Sequence, residues 1–325
     1  MRISLMLALL CPLFVVGAIE DARGESAGLF EPQGVATPAD QGFGYIVNPP
    51  FGAQSTSVGS ESGTTLDTMT ATNESAGFFT HNPFNGARIH PASPVLDRSA
   101  GIGVGFRLAL NAETHSTPNR AGFSVIVIAS DGRGIEVGFW TNEIWVYDDD
   151  RDGAANLFKH AEGVAQSPAA MTTMRKYDLV MLADRYALSI DGVAVLSGRV
   201  RDYGNFVGPT FPLVGELDPY EAANIIFFGD DTSSAASRSV LGSVAVTTLG
   251  ADGITIIDSG ISDGRFSMSW ESLPGVRYGV SASTNLVDWV SVQQSMATGN
   301  GASFSAPLAA DARSFYRIES EGIPE

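Results

Sequence analysis

Short apolar runs, separated by clusters of Gly, Asn, Asp, Ser and Thr, recur along the chain between about residues 100 and 250. The segments "GIGVGFRLAL" (101–110), "GFSVIVIAS" (122–130), "GIEVGFW" (134–140) and "EIWVYD" (143–148) are rich in β-branched and aromatic residues. So are "YDLVMLAD" (177–184), "YALSIDG" (186–192), "VAVLSGRV" (193–200), "NIIFFGD" (224–230) and "SVLGSVAVTTL" (239–249). Their length, composition and turn-forming borders predict strands. Alternation puts Phe123, Val125 and Val127 on one face of its strand and Ser124, Ile126 and Ile128 on the other. Two largely apolar faces suit a central strand covered on both sides. Asp191-Gly192, between two such runs, predicts a tight hairpin.

Helical periodicity is nearly absent, and only 165–175 suits a single turn or a short helix. Many short strands with turn punctuation predict an all-β chain, with a jelly-roll sandwich over 28–250. A break falls at "ADG" (251–253). Beyond it Phe266, Met268 and Trp270 alternate, followed by Tyr278 and Val280 and a tail strand from Ser314 to Ile318. Residues 251–325 are therefore expected to form a second, small β-sandwich.

The first residues, "MRISLMLALLCPLFVVGA", combine one basic residue, an apolar run and the small-x-small ending Val16-Gly17-Ala18. This is the pattern of a secretory signal peptide over 1–18, cut after Ala18, and its apolar run is short for spanning a bilayer. Cys11, the one cysteine, lies inside it, behind Leu9 and Leu10 rather than the small residues of a lipoprotein signal. The expected mature chain is secreted, has no membrane span, and offers neither a disulfide nor a thiol nucleophile. Losing Arg2 with the leader leaves 18 basic against 36 acidic side chains. That balance repels nucleic acid and anionic membranes.

Three segments together, 119–147, 185–203 and 224–248, resemble the choice-of-anchor Y domain of secreted bacterial proteins, a relative of the concanavalin A/laminin G-like jelly rolls. The combination of "RAGFSVIV", "GIEVGFWTNEIW" and "FGDDTSSA" carries the resemblance over about 28–250, while the "YALSIDG" hairpin is common to many lectin-like folds. The C-terminal region, with "STNLVDW" and "FYRI", resembles the fibronectin-type-III-like domains that end many secreted bacterial proteins. The resemblance implies a secreted or surface module and carries over no catalytic constellation.

Four candidate features carry chemistry. "DDDRDG" (148–153) places Asp148, Asp150 and Asp152 at alternate positions before Gly153, a pattern that can wrap calcium in oxygen ligands. An EF-hand would need a carboxylate where Lys159 stands, so the competing reading is a solvated acidic turn. Trp140 and Trp145 suit a sugar-stacking platform, although such aromatics more often seal the core between two sheets. Glu136 and Glu143 flank a turn and are the candidate pair for a glycoside hydrolase. In "GDDTSS" (229–234) the side chains of Asp and Thr232 or Ser233 are expected to cap backbone amides. The four histidines have no zinc spacing.

The expectation is a secreted, non-catalytic binding or surface-associated module, whose partner is an extracellular glycan or cell-surface component. A polysaccharide hydrolase acting through Glu136 and Glu143 and a purely structural envelope or matrix protein are the alternatives.

Overall fold

In the computed structural model, residues 4–8, 25–48, 56–70, 75–250, 253–308 and 313–324 are described, the first group by backbone alone. The expected cleavage point after Ala18 and Cys11 lie outside the described residues, as does most of the leader. Of the leader, Ser4–Ala8 is described, and it pairs antiparallel with Phe315–Gly322.

The protein is an all-β jelly-roll sandwich followed by a smaller pair of sheets. One large sheet has seven strands in the order His160–Ala165, Glu143–Tyr147, Gly134–Phe139, Ser124–Ile128, Ile226–Asp230, Ser75–Phe79, Gly44–Asn48. The other runs Val193–Arg199, Arg185–Ile190, Arg175–Leu182, Ile102–His115, Ala235–Thr248, Gly63–Asp67, Thr56–Ser60, with Glu25–Phe30 also paired to Ala235–Thr248. Every pairing is antiparallel, and the two longest strands, Ile102–His115 and Ala235–Thr248, run side by side through the second sheet. The expected hairpin forms at Asp191-Gly192, where both residues have positive φ (49° and 80°), the requirement of a type I′ turn. The expected short helix is Pro168–Met171, capped by the Ser167 hydroxyl accepting from the Ala170 amide.

The main core lies between the two sheets. Phe106 stacks on Tyr177 with centroids 5.2 Å apart, and Phe139 meets both edge-on. Val125, Val127, Val137, Ile144 and Val146 complete this layer. Each such large apolar side chain contributes about 1.5–3 kcal/mol when fully buried.

The opposite face of the seven-stranded sheet is also apolar, and it has a cover of its own. Ile126, Ile128, Trp145, Tyr147 and Phe227 pack beneath Phe158, Tyr203, Tyr220 and Ala222. This second layer explains why Phe139 and Trp140, which alternate to opposite faces, are both buried. It also accounts for the two apolar faces of Ser124–Ile128.

Residues 254–323 build a further core around Trp270, Tyr278 and Phe266, the last stacked on Tyr316 at 4.8 Å. Its strands are Ile256–Ser262, Arg265–Glu271 and Gly301–Pro307 in one sheet, and Arg277–Ser283, Val290–Met296 and Phe315–Gly322 in the other. Val180 and Ala187 of the jelly roll join this core.

Candidate ligand-binding cleft

A cleft of about 830 Å³ opens over the covered face of the seven-stranded sheet. Its floor comes from the sheet: Phe79, Ile126, Tyr147 and Phe227, with Glu136 among them. Its polar lining comes from Arg120, Asp231, Thr232, Ser233 and Ser234. Further apolar lining comes from Pro83, Phe206, Pro209, Phe211 and Leu217. The apolar wall belongs to a small hairpin, Thr210–Phe211 against Gly215–Glu216. Phe211 also meets Phe84 edge-on at 6.3 Å.

The strand Gly134–Phe139 delivers Glu136 to this floor because alternate residues share a face, with Val137 directed into the main core. Gly138 follows it on the same face. A Cβ there would lie 3.0 Å from the rings of Trp145 and Tyr147, so glycine lets those rings lie flat over the strand. Glu136 is wholly buried. The Tyr220 hydroxyl donates to its Oε2 at 2.5 Å, and its backbone amide donates to the Tyr203 hydroxyl at 3.2 Å. Tyr203 in turn donates to the Tyr147 carbonyl at 2.9 Å. Glu136 therefore ties the covering segment to the sheet at two points.

Its carboxyl neighbour is Asp231, which follows the strand Ile226–Asp230. The two carboxyls are near enough for the Asp231 charge to act on Glu136. Glu136 Oε1 and Asp231 Oδ1 are buried and receive no N–H or hydroxyl from the other described residues. Burial first, and then the Asp231 charge, holds the Glu136 carboxyl well above the usual carboxylate range. Burial also raises Asp231, against the hydrogen bond from Glu136 and the charge of Arg120. Burial and the neighbouring negative charge thus both favour the protonated form of Glu136.

Arg120 supplies the nearby positive charge. Its guanidinium lies 5.7 Å from the centre of the Phe158 ring, and Nη1 donates to the Phe158 carbonyl at 3.1 Å. Asp230, beside the pair, is buried, and burial holds its carboxyl well above the usual range. It accepts the Thr68 hydroxyl at 2.7 Å and the Thr232 amide at 3.1 Å, and the Thr232 hydroxyl accepts the Ser234 amide at 3.2 Å. These are the turn caps expected for "GDDTSS".

The sequence candidates are distributed differently from expectation. Glu143 does not join Glu136. It begins the next strand opposite Trp140, whose amide donates to the Glu143 carbonyl at 2.8 Å. Four residues of strand separate positions 136 and 140, so the two acids stand about 13 Å apart along the sheet. The Glu143 carboxylate pairs instead with His160 Nε2 at 3.2 Å. The hairpin that made Glu136 and Glu143 a plausible catalytic pair thus separates them.

Trp140 and Trp145 are also corrected, because neither ring forms an open platform. Trp145 is 0% exposed and stacks on His160 at 4.6 Å; Trp140 is 9% exposed and stacks on His115 at 4.4 Å. Trp140 Nε1 donates to the Arg120 carbonyl at 2.8 Å, so this tryptophan braces the residue that faces the pair.

In the acidic loop the three alternate aspartates face different partners. Asp148 lies 3.4 Å from both Arg199 and Arg201, Asp150 accepts Asn205 Nδ2 at 2.5 Å, and Asp152 is exposed. Among the described residues, no three His, Cys, Asp or Glu side chains are grouped to hold a metal. The buried acid of the loop is Asp149, which takes Arg199 in a two-point ion pair at 2.5 and 2.6 Å and the Asp202 amide at 3.0 Å. These bonds hold its carboxyl down at about 2, against the cost of burial. Arginines thus supply the positive charge in this loop.

Asp231, Tyr203 and Tyr220 were not foreseen as site residues. The two tyrosines lie in non-periodic connections. The doubled acid of "GDDTSS" is the one usable signal, since adjacent residues at a strand end turn to opposite sides.

No family model matches the chain, and no curated protein matches it. Solved structures resemble it loosely. One is a carbohydrate esterase from Shiga toxin-encoding bacteriophage phi24B (12% identity, 63% of this chain and 90% of that one, TM-score 0.38). A second is domain 4 of AbnA, an extracellular arabinanase from Geobacillus stearothermophilus, in complex with arabinotriose (9% identity, 65% and 85%, TM-score 0.35). A third is the exoplasmic/lumenal domain of VIP36 in its Ca2+/Man3GlcNAc-bound form (9% identity, 63% and 83%, TM-score 0.34).

Proposed function

We propose that the chain is an exported, non-catalytic binding module that holds a saccharide in the cleft over the seven-stranded sheet. The observation that carries this reading is that one cleft combines an aromatic and apolar lining with hydroxyl- and carboxyl-bearing side chains. Sugars present both an apolar ring face and a fringe of hydroxyls, and sites for such ligands combine aromatic surface with a few placed polar groups.

The carboxyl geometry favours binding over hydrolysis. Retaining hydrolysis uses two carboxyls about 5–5.5 Å apart, and inversion uses a wider gap that admits water. Glu136 has no exposed surface, and one of its oxygens is held by the Tyr220 hydroxyl. The test is retention on a panel of immobilised polysaccharides with a parallel assay for released sugars. Retention without products, weakened in Phe211→Ala, supports the reading; products that disappear in Asp231→Asn would replace it with an enzyme.

A further inference from the structure

We propose a second saccharide-binding site, separate from the cleft over the seven-stranded sheet, with Trp289 as its stacking ring and Arg317 as a donor to sugar hydroxyls. It lies between the C-terminal region and the jelly roll, where a cleft of about 880 Å³ opens. One wall comes from the strands Arg277–Ser283, Val290–Met296 and Phe315–Gly322, the other from the turns around Asp97 and Ala183. Junctions between domains are frequent places for ligand sites.

The strand pattern explains the shape of the first wall. Tyr278 and Val280 point into the C-terminal core, so Gly279 and Ser281 between and after them face the cleft. Register puts Arg317 and Ser291 beside Ser281, and Gln294 beside Gly279, on the same face. Small residues along this interior strand leave a hollow with longer side chains around it. A Cβ on Gly279 would lie 2.5 Å from Glu321 Oε1, so glycine lets that carboxylate reach across the strand, where it accepts Gln294 Nε2 at 2.8 Å.

Of the four tryptophans in the chain, Trp140, Trp145 and Trp270 are buried, whereas Trp289 is partly exposed and lines this cleft. Its ring is fixed twice. The Arg317 guanidinium sits 4.7 Å from the ring centre, and Nε1 donates to the Leu286 carbonyl at 3.3 Å. The one polar atom of the indole is thus committed, and what the ring offers to the cleft is apolar carbon. Such a surface suits the C–H face of a pyranose, and holding the ring in place beforehand lowers the ordering cost of binding. Arg317 Nε lies 3.4 Å from Glu319 but makes no hydrogen bond to a described residue. With five N–H donors, the guanidinium keeps capacity for ligand hydroxyls beside Ser281, Ser291 and Gln294.

The experiment has two readouts on the full chain: retention on immobilised arabinan, xylan and β-glucan, and acrylamide quenching of tryptophan emission with and without arabinohexaose, xylohexaose or cellohexaose. Trp289 dominates the quenching because the other three rings are buried. The expected result is that an oligosaccharide of a retained polymer shields wild type and Phe211→Ala from acrylamide, and that Trp289→Phe shows no such shielding. Retention should weaken at least ~10-fold in Trp289→Ala, as at an aromatic anchor, and less in Trp289→Phe, which keeps a ring. Shielding that persists in Trp289→Phe would overturn the proposal, as would unchanged quenching with every oligosaccharide whose polymer is retained. So would full retention of a Trp289→Ala protein whose melting shows it folded; weakening in Phe211→Ala would then leave the first cleft as the only site. Weakening in Trp289→Ala with none in Phe211→Ala would instead keep this site and remove the first. Retention of no polymer would remove both.

Discussion

The Tyr220 hydroxyl, from the segment that covers the seven-stranded sheet, donates to the buried Glu136 carboxyl at 2.5 Å, and burial and the Asp231 charge raise that carboxyl well above the usual range. The folded protein thus retains a proton that the unfolded chain releases near pH 4.5, the ordinary glutamate value. Asp230 and Glu113 are raised by burial in the same direction. A group whose folded pKa is raised by burial weakens the fold as pH climbs from the unfolded value through the folded one. Thermal melting between pH 5 and 8 should therefore show stability falling with pH. The slope should be shallower in Glu136→Gln; an identical slope would mean that Glu136 holds no extra proton.

Asp149 has the opposite sign. Its carboxyl is held at about 2 by Arg199, so its contribution is present above pH 3.8 and is lost as pH falls towards 2. The linkage is worth about 2 kcal/mol. Acid titration followed by near-ultraviolet dichroism should show Asp149→Asn with a flatter acid limb than wild type. Removing Arg199 alone should destabilise the fold by about 3–5 kcal/mol, since it leaves a buried carboxylate unpaired.

The same ion pair bears on the acidic loop. With Arg199 and Arg201 facing Asp148 and Asn205 bound to Asp150, two of the three alternate carboxylates already have partners, and Asp152 is exposed. Melting temperature is expected to be the same in millimolar calcium and in chelator. A calcium-dependent rise that vanishes in Asp150→Ala would instead assign the loop to a cation.

Trp140 and Trp145 are expected to behave as core residues. Trp145→Ala should cost about 3–5 kcal/mol, as truncation of a buried aromatic does. Its effect on glycan retention should follow the fraction of folded protein. A folded Trp145→Ala protein with lost retention would put the binding surface on that ring.

Much of the sheet structure was legible because it is local. Alternation in "GFSVIVIAS" identified both faces of Ser124–Ile128, and Asp191-Gly192 placed its turn. The early strands Glu25–Phe30, Gly44–Asn48 and Thr56–Ser60 were not singled out. All three are short; Glu25–Phe30 and Gly44–Asn48 pair with strands well separated in sequence, and Thr56–Ser60, paired with the adjacent Gly63–Asp67, is made largely of Gly, Ser and Thr. The candidate site failed to assemble on paper for the same reason. Glu136 was visible, but proximity in sequence joined it to Glu143, whereas strand order joins it to Asp231. The burial of both tryptophans depended on Phe158, Tyr203 and Tyr220, which reach the sheet from irregular segments without a periodic signal.

Hydrogen exchange with and without a retained neutral polysaccharide tests the location of binding most directly. Protection is expected in the hairpin region 205–217 and in the turn 230–234, both of which line the cleft. Protection confined to residues 254–323, with those two segments unchanged, would contradict a ligand site over the seven-stranded sheet.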